Sequence, residues 1–586
     1  MHTVRTLTRL LIANRGEIAI RIARSAADLG ITPVAVYPDD DAASLHRHAC
    51  PVAIRLDGRG AAAYLDGEAL IRVAKAHDCE AIHPGYGFLS ENAAFARRCA
   101  EEGLLFIGPS PETLAMLGDK ARARELARSL QVPLVPGTFA ASSLDEVRAF
   151  VAELRPGEAA MIKAIAGGGG RGMRSVRSVD EVDAAYERCR SEARGAFGNG
   201  DLYVERLVRR ARHVEVQVLG DGERVAHAFE RDCTLQRRNQ KLIEIAPAPG
   251  LDPALRKRIL AAATRIAQHV NYRGLGTFEF LVDLDAPREA PAFYFMEANP
   301  RLQVEHTITE EITGLDLVAT QIELVRGRRL HELGLAEPLP APRCQAIQLR
   351  INMETLTDNG DARPEGGLIT RYEIPSGPGI RADGYGYGGY RTSPAFDSML
   401  AKLIVRAHGL ELPALVQRAR RALRDVRIEG VRTNLDVLDA LLGMPATSAY
   451  DVDTRFVQTH LAEILDHAQQ ADWVWRPHGG GAADAAGSTA FSSQGGAPAS
   501  GAATAPAGTV AMPAPLQGTV LSINAEPGGI VRKGQQIAVL EAMKMEHIVA
   551  ADVSGIVRAV PAEVGATLYA GDPLLFVEPG DHVIVF

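Results

Sequence analysis

Apolar and polar positions change rhythm several times along the 586 residues of this chain. Residues 10–37 read strand–helix–strand. Leu10 to Ala13 is an apolar run, Asn14-Arg15-Gly16-Glu17 makes a turn, and an amphipathic helix then reaches Gly30 before the strand Val34-Ala35-Val36-Tyr37. This is a Rossmann-like βαβ unit, but its turn lacks the G-x-G-x-x-G of a dinucleotide site. Another strand ends at Ala81-Ile82-His83, and Ser110-Pro111 reads as an N-cap followed by Pro at the first helical position. From about 160 to 245 the pattern predicts short strands separated by glycine. Residues 275–284 and 292–297 predict an antiparallel pair, 345–406 is strand-rich, and 412–425 reads as a basic helix.

Residues 478–509 differ in kind. Nineteen of the 32 are Gly or Ala, and only Asp484 is plainly charged, which predicts a disordered tether. As a flexible coil it spans roughly 30 Å, and fully extended about 110 Å. Beyond it lies an internal repeat. Residues 518–541 and 555–578 align without gaps at an offset of 37, matching Gly518/Gly555, Val520/Val557, Gly528/Gly565, Gly534/Gly571 and Glu541/Glu578. Two copies of one short-strand unit predict a small β-sandwich with a quasi-two-fold axis. Lys544, between Met543 and Met545, falls on the hairpin joining the halves. That is the form of a swinging-arm site for a covalent prosthetic group. A plain surface turn would not normally flank its lysine with two methionines.

An α/β and α+β multidomain chain is expected, with a Rossmann-like domain (1–117), two further domains over 118–335 and 336–455, a helical connector (456–477), the tether (478–509) and an all-β domain (510–580). Net charge is −8, which leaves no footprint for nucleic acid or an anionic membrane. No apolar run reaches the length of a membrane span. The first strand arrives too early for a targeting segment, so a cytoplasmic protein is expected. Six cysteines without a C-x-x-C pair suggest free buried thiols. Of 64 Lys and Arg, eight are Lys: 75, 120, 163, 241, 257, 402, 533 and 544. A lysine kept in an arginine-rich chain is a candidate for a role that needs its compact ammonium, with chance retention expected for about half.

Candidate chemistry concentrates upstream of the tether. Gly167 to Gly172, interrupted only by Arg171, follows a strand carrying Lys163. Such a run lets backbone N–H groups close around phosphate oxygens, and no Gly-Lys-Ser/Thr follows to make it a Walker A loop. Glu279 and Glu297 sit among apolar neighbours, and strand alternation puts both carboxylates on one face. With the amide oxygen of Asn299 they would suit Mg²⁺ bridging nucleotide phosphates. Arg301 can grip a small oxyanion, and Glu305 is a candidate general base. Residues 236–241 add positive charge.

These residues carry a resemblance. Ala13 to Ala19, His83 to Asn92, Gly118-Asp119-Lys120, the Gly-rich run, Arg212 to Gln217, Glu297 to His306 and Arg350-Ile351-Asn352 resemble biotin carboxylase, an ATP-grasp enzyme. Glu541 to Met545 resembles the biotinylation site of biotin carboxyl carrier domains. Lipoyl domains share that fold but usually carry Asp-Lys-Ala at the tip. The resemblance covers about 8–455 and 510–578 in order, as in α-subunits of bacterial acyl-CoA carboxylases. It implies an ATP-grasp domain at 118–335, a biotin carboxylase C-terminal domain at 336–455, and a flattened biotinyl-type barrel after the tether.

The resemblance also implies roles. Lys120, Lys163, Gly169 and Gly170 would hold ATP phosphates. Glu205, Arg206, Leu207 and Val208 would contact adenine, with His213 and Gln236 on the nucleotide. Glu279, Glu297 and Asn299 would bind Mg²⁺ or Mn²⁺. Lys241, Arg301, Gln303, Val304 and Arg350 would surround bicarbonate, and Glu305 would deprotonate it for attack on the γ-phosphate. The carboxyphosphate formed would break down to CO₂ and phosphate, which would take the biotin N1 proton. Arg350 would stabilise the biotin enolate. Biotin on Lys544 would be installed by a biotin protein ligase, the carboxylase core would be a homodimer, and a separate carboxyltransferase β-subunit would receive the CO₂, since no segment here is free to be one.

Two positions depart from the pattern. Asn239 stands where acyl-CoA-type biotin carboxylases usually have His, and Asn there resembles urea carboxylases. Ile245 replaces the second Glu of the usual Glu-Glu-Ala-Pro, leaving Glu244. The acceptor is therefore expected to be an acyl-CoA, with urea- or keto-acid-type acceptors as alternatives. Two further readings stand beside these. A different ATP-grasp ligase is opposed by the carrier domain, and a biotin-bearing scaffold with a decayed ligase is opposed by the intact residue set.

Overall fold

The structure, a computed structural model, describes residues 4–138, 141–165, 172–286, 293–335, 338–409, 411–470, 505–542 and 545–580. The expectations for Gly169, Gly170 and Lys544 fall outside the described residues.

The N-terminal sheet has five strands in the order Val52–Arg55, Thr32–Tyr37, Arg9–Ile12, Ala81–His83, Leu105–Phe106, all parallel. Parallel strands are covered on both faces, so they read as continuous apolar runs, and Leu10, Leu11 and Ile12 are fully buried. Helix Gly16–Asp28 lays Ile18, Ile22 and Ala26 against this sheet. Gly16 has φ +63°, and a Cβ on it would stand 3.3 Å from the Tyr385 ring, so this turn needs glycine. Ser110 caps helix Pro111–Leu117, its side chain accepting from the Thr113 N–H.

A small antiparallel sheet follows, in the order Met173–Val176, Ala160–Ala164, Leu202–Arg206, covered by helices Leu144–Ala152 and Val179–Phe197. The central feature is an eight-stranded antiparallel sheet. Its order is Phe293–Asn299, Arg273–Asp283, Ala211–Asp221, Val225–Arg237, Gln240–Ala246, Cys344–Asn352, Met399–His408, Ile380–Gly384. The short strands expected over 160–245 form at Ala160–Ala164, Met173–Val176 and Leu202–Arg206, but Ala211–Asp221 and Val225–Arg237 run 11 and 13 residues instead. The charged residues Arg212, Glu215, Arg231 and Asp232 look like interruptions in the sequence, yet all are buried within the sheet and bonded to one another. The sheet also runs unbroken from the second domain into the third through the pairing of Gln240–Ala246 with Cys344–Asn352.

Helix Leu412–Arg424 packs Leu415, Val416, Ala419 and Leu423 against the far end of this sheet. Helix Leu461–Gln470 adds Ile464 and Ala468 to the same core, so the first part of the expected connector belongs to a packed body. Among the described residues no helix is long and apolar enough to cross a membrane. Five of the six cysteines are buried, Cys344 is partly so, and all six are free.

The C-terminal domain pairs two four-stranded sheets. One has the order Val510–Pro513, Pro573–Pro579, Gly555–Ala559, Ile530–Val531, and the other Met545–Ala550, Gln536–Ala542, Gly518–Ile523, Thr567–Leu568. Each half gives its long strands to one sheet and its two-residue strand to the other, which is the quasi-two-fold exchange the repeat predicts. At the same offset of 37, Val510–Pro513 matches the end of Met545–Ala550, so the repeat extends N-terminally. Residues 505–509, expected as the end of the tether, instead lead directly into the domain, with Thr509 N–H donating to Pro506 O.

Candidate active site

The site is built on the inward face of the long strands. On Arg273–Asp283, Phe278 and Phe280 point into the apolar core with Phe295, and the intervening Glu279 points to the opposite side. There it meets Lys241, from the strand after the tight turn Arg237–Gln240. Lys241 Nζ donates to Glu215 Oε2 at 2.7 Å, Glu279 Oε1 at 3.1 Å and Glu305 Oε1 at 2.6 Å. The ammonium thus sits at the centre of three buried carboxylates. Burial opposes its charge, but Cys233 and those carboxylates hold its pKa well above the usual lysine value.

Each carboxylate is anchored from behind. Glu215 accepts from Arg231 Nε at 2.5 Å, and Arg231, fully buried, also donates to Gln217, Thr277 and Thr309. Glu279 Oε2 meets His213 Nε2 at 2.8 Å. Glu305 Oε2 accepts from Arg350 Nη2 at 3.0 Å, while Arg350 Nε donates to Glu244 at 2.5 Å. Burial raises the Glu305 pKa, yet Lys241, Arg350 and Arg231 outweigh it and hold the carboxyl well below its usual range. Glu279 is likewise lowered, burial being overcome by Lys241 and His213. Glu215 and Glu244 go the other way. Burial, with Glu305 beside them, pushes their pKa values up. The pocket therefore mixes carboxylates firm in their charge with others closer to taking a proton.

Arg301 stands at the edge. Its guanidinium pairs with Glu91 at 2.9 Å and donates to Gln303 Oε1 at 3.2 Å and Asn299 Oδ1 at 3.2 Å. Lys402, fully buried, donates to the Val304 carbonyl at 3.0 Å and pairs with Glu17 at 2.9 Å, and Glu17 accepts from the Tyr86 hydroxyl. Arg301, Gln303, Val304 and Glu305 are thus braced from two sides.

The nucleotide-side residues form a second group. Lys120 pairs with Glu297 at 3.0 Å, and Lys163 with Glu205, which also accepts from Arg124 at 2.9 Å. Lys120, Arg124, Thr138, Ile165 and Tyr203 line a narrow pocket between them. The Glu205 side chain is thereby engaged by the cations Lys163 and Arg124. Arg206 bonds Tyr294 at 2.9 Å, Leu207 N–H donates to Ala159 O at 2.7 Å, and Val208 follows, half-buried. Gln236 is the strand partner of Lys241.

Glu279 and Glu297 are direct partners across the strand pair, so two hard oxygen donors face one another, as Mg²⁺ requires. Asn299 is placed differently from expectation. Its Nδ2 donates to Glu279 Oε1 at 2.8 Å and its Oδ1 accepts from Arg301, so the amide oxygen is engaged by the guanidinium. The departures have local explanations. Arg238 and Asn239 have φ +46° and +65° and form a two-residue hairpin turn, where Asn is well tolerated. Ile245 lies on the face opposite Glu244, buried in the apolar cluster with Ile347 and Val405.

The roles of Glu215, Arg231, Cys233 and Glu244 in the cluster, and of Glu91, Glu17 and Lys402 around it, were not anticipated from sequence. Lys402 carried one signal, as one of the eight retained lysines.

Four family descriptions match in order: "Biotin carboxylase, N-terminal domain" over residues 6–114, "Carbamoyl-phosphate synthase L chain, ATP binding domain" over 119–333, "Biotin carboxylase C-terminal domain" over 348–459, and "Biotin-requiring enzyme" over 509–577. Among curated proteins, the pyruvate carboxylase of Aspergillus niger is 47% identical over 444 residues, 75% of this chain and 36% of its own length. The chain spans well under half the length of the curated relatives it matches. Among solved structures, the biotin carboxylase domain dimer of the Hydrogenobacter thermophilus 2-oxoglutarate carboxylase, in complex with MgADP, ADP and bicarbonate, is 38% identical. Its TM-score is 0.73, covering 78% of this chain and 99% of that one. A single-chain, multi-domain long-chain acyl-CoA carboxylase is 38% identical with TM-score 0.68, covering 98% of this chain and 51% of that one.

Proposed function

The chain belongs to the ATP-grasp biotin carboxylases, and we propose that it uses ATP and bicarbonate to carboxylate biotin held on its own Lys544. The observation that carries the reading is Lys241 at the centre of Glu215, Glu279 and Glu305, with Arg350 on the far side of Glu305. Four carboxylates and several cations share one buried pocket, which suits a small anion that must lose a proton there.

In this reading Lys241, Arg301, Gln303 and Val304 hold bicarbonate, and Glu305 takes its proton. Glu305 is a weak base while Lys241 donates to it. An anion that draws the ammonium toward itself loosens that bond and raises the proton affinity of Glu305, so binding and activation are coupled through Lys241. Lys120 and Lys163 would turn to the ATP phosphates, and Glu279 and Glu297 would hold Mg²⁺, which neutralises charge on the transferring phosphoryl group. Biotin, when attached, supplies the ureido nitrogen that receives the carboxyl group. Arg350 places a guanidinium in the pocket, aimed by Glu244 and Glu305.

We assign an acyl-CoA as the final acceptor, reached through a separate carboxyltransferase. What supports the choice of acceptor is the likeness to the long-chain acyl-CoA carboxylase over 98% of this chain, carrier included. The higher identity to a pyruvate carboxylase favours a 2-oxo acid as the second reading. Pull-down of the transferase partner and assay of both acceptor classes separates them.

Two experiments test the core reading. Streptavidin blotting of protein from a biotin-replete host should detect biotin, and Lys544→Arg should abolish it. Bicarbonate-dependent ATP hydrolysis stimulated by free biotin should be lost in Glu305→Ala and in Arg350→Ala. Full activity in both variants would overturn the site assignment.

A further inference from the structure

The C-terminal domain does not stand clear of the core. Tyr569, just after the strand Thr567–Leu568, donates its hydroxyl to the backbone carbonyl of Thr392. Gln517, just before the strand Gly518–Ile523, is only 5% exposed, and its Oε1 is buried with no hydrogen-bond partner among the described residues. Both abut Gly366. A Cβ added there would overlap Gln517 Oε1 and stand 3.0 Å from Tyr569 Cε1 and 3.1 Å from Thr392 Oγ1. The φ of Gly366 is not in the left-handed region, so contact with the carrier and with Thr392, rather than backbone conformation, is what disfavours a side chain.

The strand Met545–Ala550 also approaches the core. Burial lowers the pKa of the partly buried His547 on it, with Asp361 opposing and Arg363 adding to the shift, so both core residues lie within electrostatic reach. Asp361 is in turn paired with Arg238, which also donates to Asn359 O at 3.0 Å, and Arg237 donates to Gly360 O at 3.2 Å. Arg238 and Asn239 form the tight turn that leads to Lys241. Asp361 is thus bonded to the turn that leads to Lys241 and lies within electrostatic reach of His547.

We infer that the carrier domain has a dedicated seat on the core, formed by Gly366 and Thr392 against Gln517 and Tyr569, and that docking there turns the strand Met545–Ala550 toward the Asn359–Asp361 loop bonded to the turn that leads to Lys241. The inference rests on the proposed carboxylation of Lys544-linked biotin. None of these four residues belongs to the ATP, bicarbonate or metal set. The unpartnered Gln517 Oε1 makes the seat a reversible one, since a buried acceptor left unmatched weakens the contact.

The test uses the full biotinylated chain. Tyr569→Phe removes one hydroxyl and Gly366→Val fills the seat. Each should slow single-turnover carboxylation of Lys544-biotin by about three- to tenfold, the range of one lost hydrogen bond. ATP hydrolysis driven by free biotin should stay at the wild-type rate. Tethered carboxylation unchanged or faster in both variants overturns the proposal. A readout independent of catalysis is cross-linking of Thr392→Cys/Tyr569→Cys by a short bismaleimide. An intramolecular product absent from wild type supports the seat even if free-biotin turnover proves missing, which would instead sink the functional reading. No product overturns the seat.

Discussion

Lys402 is the residue whose role is hardest to see locally and easiest to see in three dimensions. Fully buried, it couples Glu17, next to the first turn, to the Val304 carbonyl, and through Glu17 to Tyr86. Removing one partner of a buried pair leaves the other charge uncompensated, so Lys402→Met should cost about 3–5 kcal/mol. The double variant Glu17→Gln/Lys402→Met should recover much of that stability in chemical denaturation. It should still show a raised KM for bicarbonate with little change in KM for ATP, because the loop carrying Gln303 and Val304 has lost its brace. Equal effects on both KM values would make Lys402 a purely structural residue. The same scale explains Asn239. Its φ of +65° admits Asn but penalises a β-branched side chain, so Asn239→Val should lose about 1–2 kcal/mol. Asn239→Gly should retain near-wild-type stability by the same measurement. What sequence could deliver here was the set of residues in local motifs, such as Glu297 to Glu305. Glu215, Arg231 and Lys402 escaped because their partners lie far away in sequence, Arg231 beside Glu215 across a strand pair and Lys402 beside Glu17.

At the scale of elements, strand alternation accounts for most of what was legible. Phe278 and Phe280 flank Glu279 as alternation demands, and the apolar runs of the parallel N-terminal sheet read correctly as strands. The strand Arg273–Asp283 read correctly too, but the long strands Ala211–Asp221 and Val225–Arg237 did not, because buried charges such as Glu215 and Arg231 occupy inward positions that apolar residues would otherwise mark. The N-terminal sheet also carries a pH liability. His46 lies buried with Nε2 on the Val36 carbonyl at 3.0 Å and Nδ1 on Ser44 Oγ at 2.9 Å. Burial lowers its pKa from 6.5 to about 4. The unfolded chain takes up the proton near pH 6.5, and the folded chain resists until about pH 4. Between these values the unfolded state binds more protons, so stability falls as pH falls. The shift is worth on the order of 3 kcal/mol. Denaturation midpoints at pH 7 and pH 5 should therefore converge in His46→Gln relative to wild type. His83, lowered to about 3 by burial, adds a residual slope of the same sign.

For the whole molecule, the 37-residue repeat and the Gly/Ala-rich segment are the features that would set how often Lys544 meets the pocket. The repeat was legible because each half obeys one register, and the two sheets exchange their short strands accordingly. The seat was not legible, because Gln517, Tyr569, Gly366 and Thr392 show no common pattern until the chain folds. The composition of residues 478–509 predicts a coil, and a coil of that length would hold the carrier at a local concentration in the millimolar range. Attachment should therefore make carboxylation of Lys544-biotin independent of protein concentration. A protease site inserted within residues 485–500 tests this without altering either folded body. Before cleavage, the single-turnover rate should not change on tenfold dilution. After cleavage, the rate should fall roughly in proportion to dilution once the concentration is below the affinity of the seat. If the cut protein keeps its rate on dilution, the carrier holds to the core without the tether, and the segment's contribution is to let it leave rather than to bring it back.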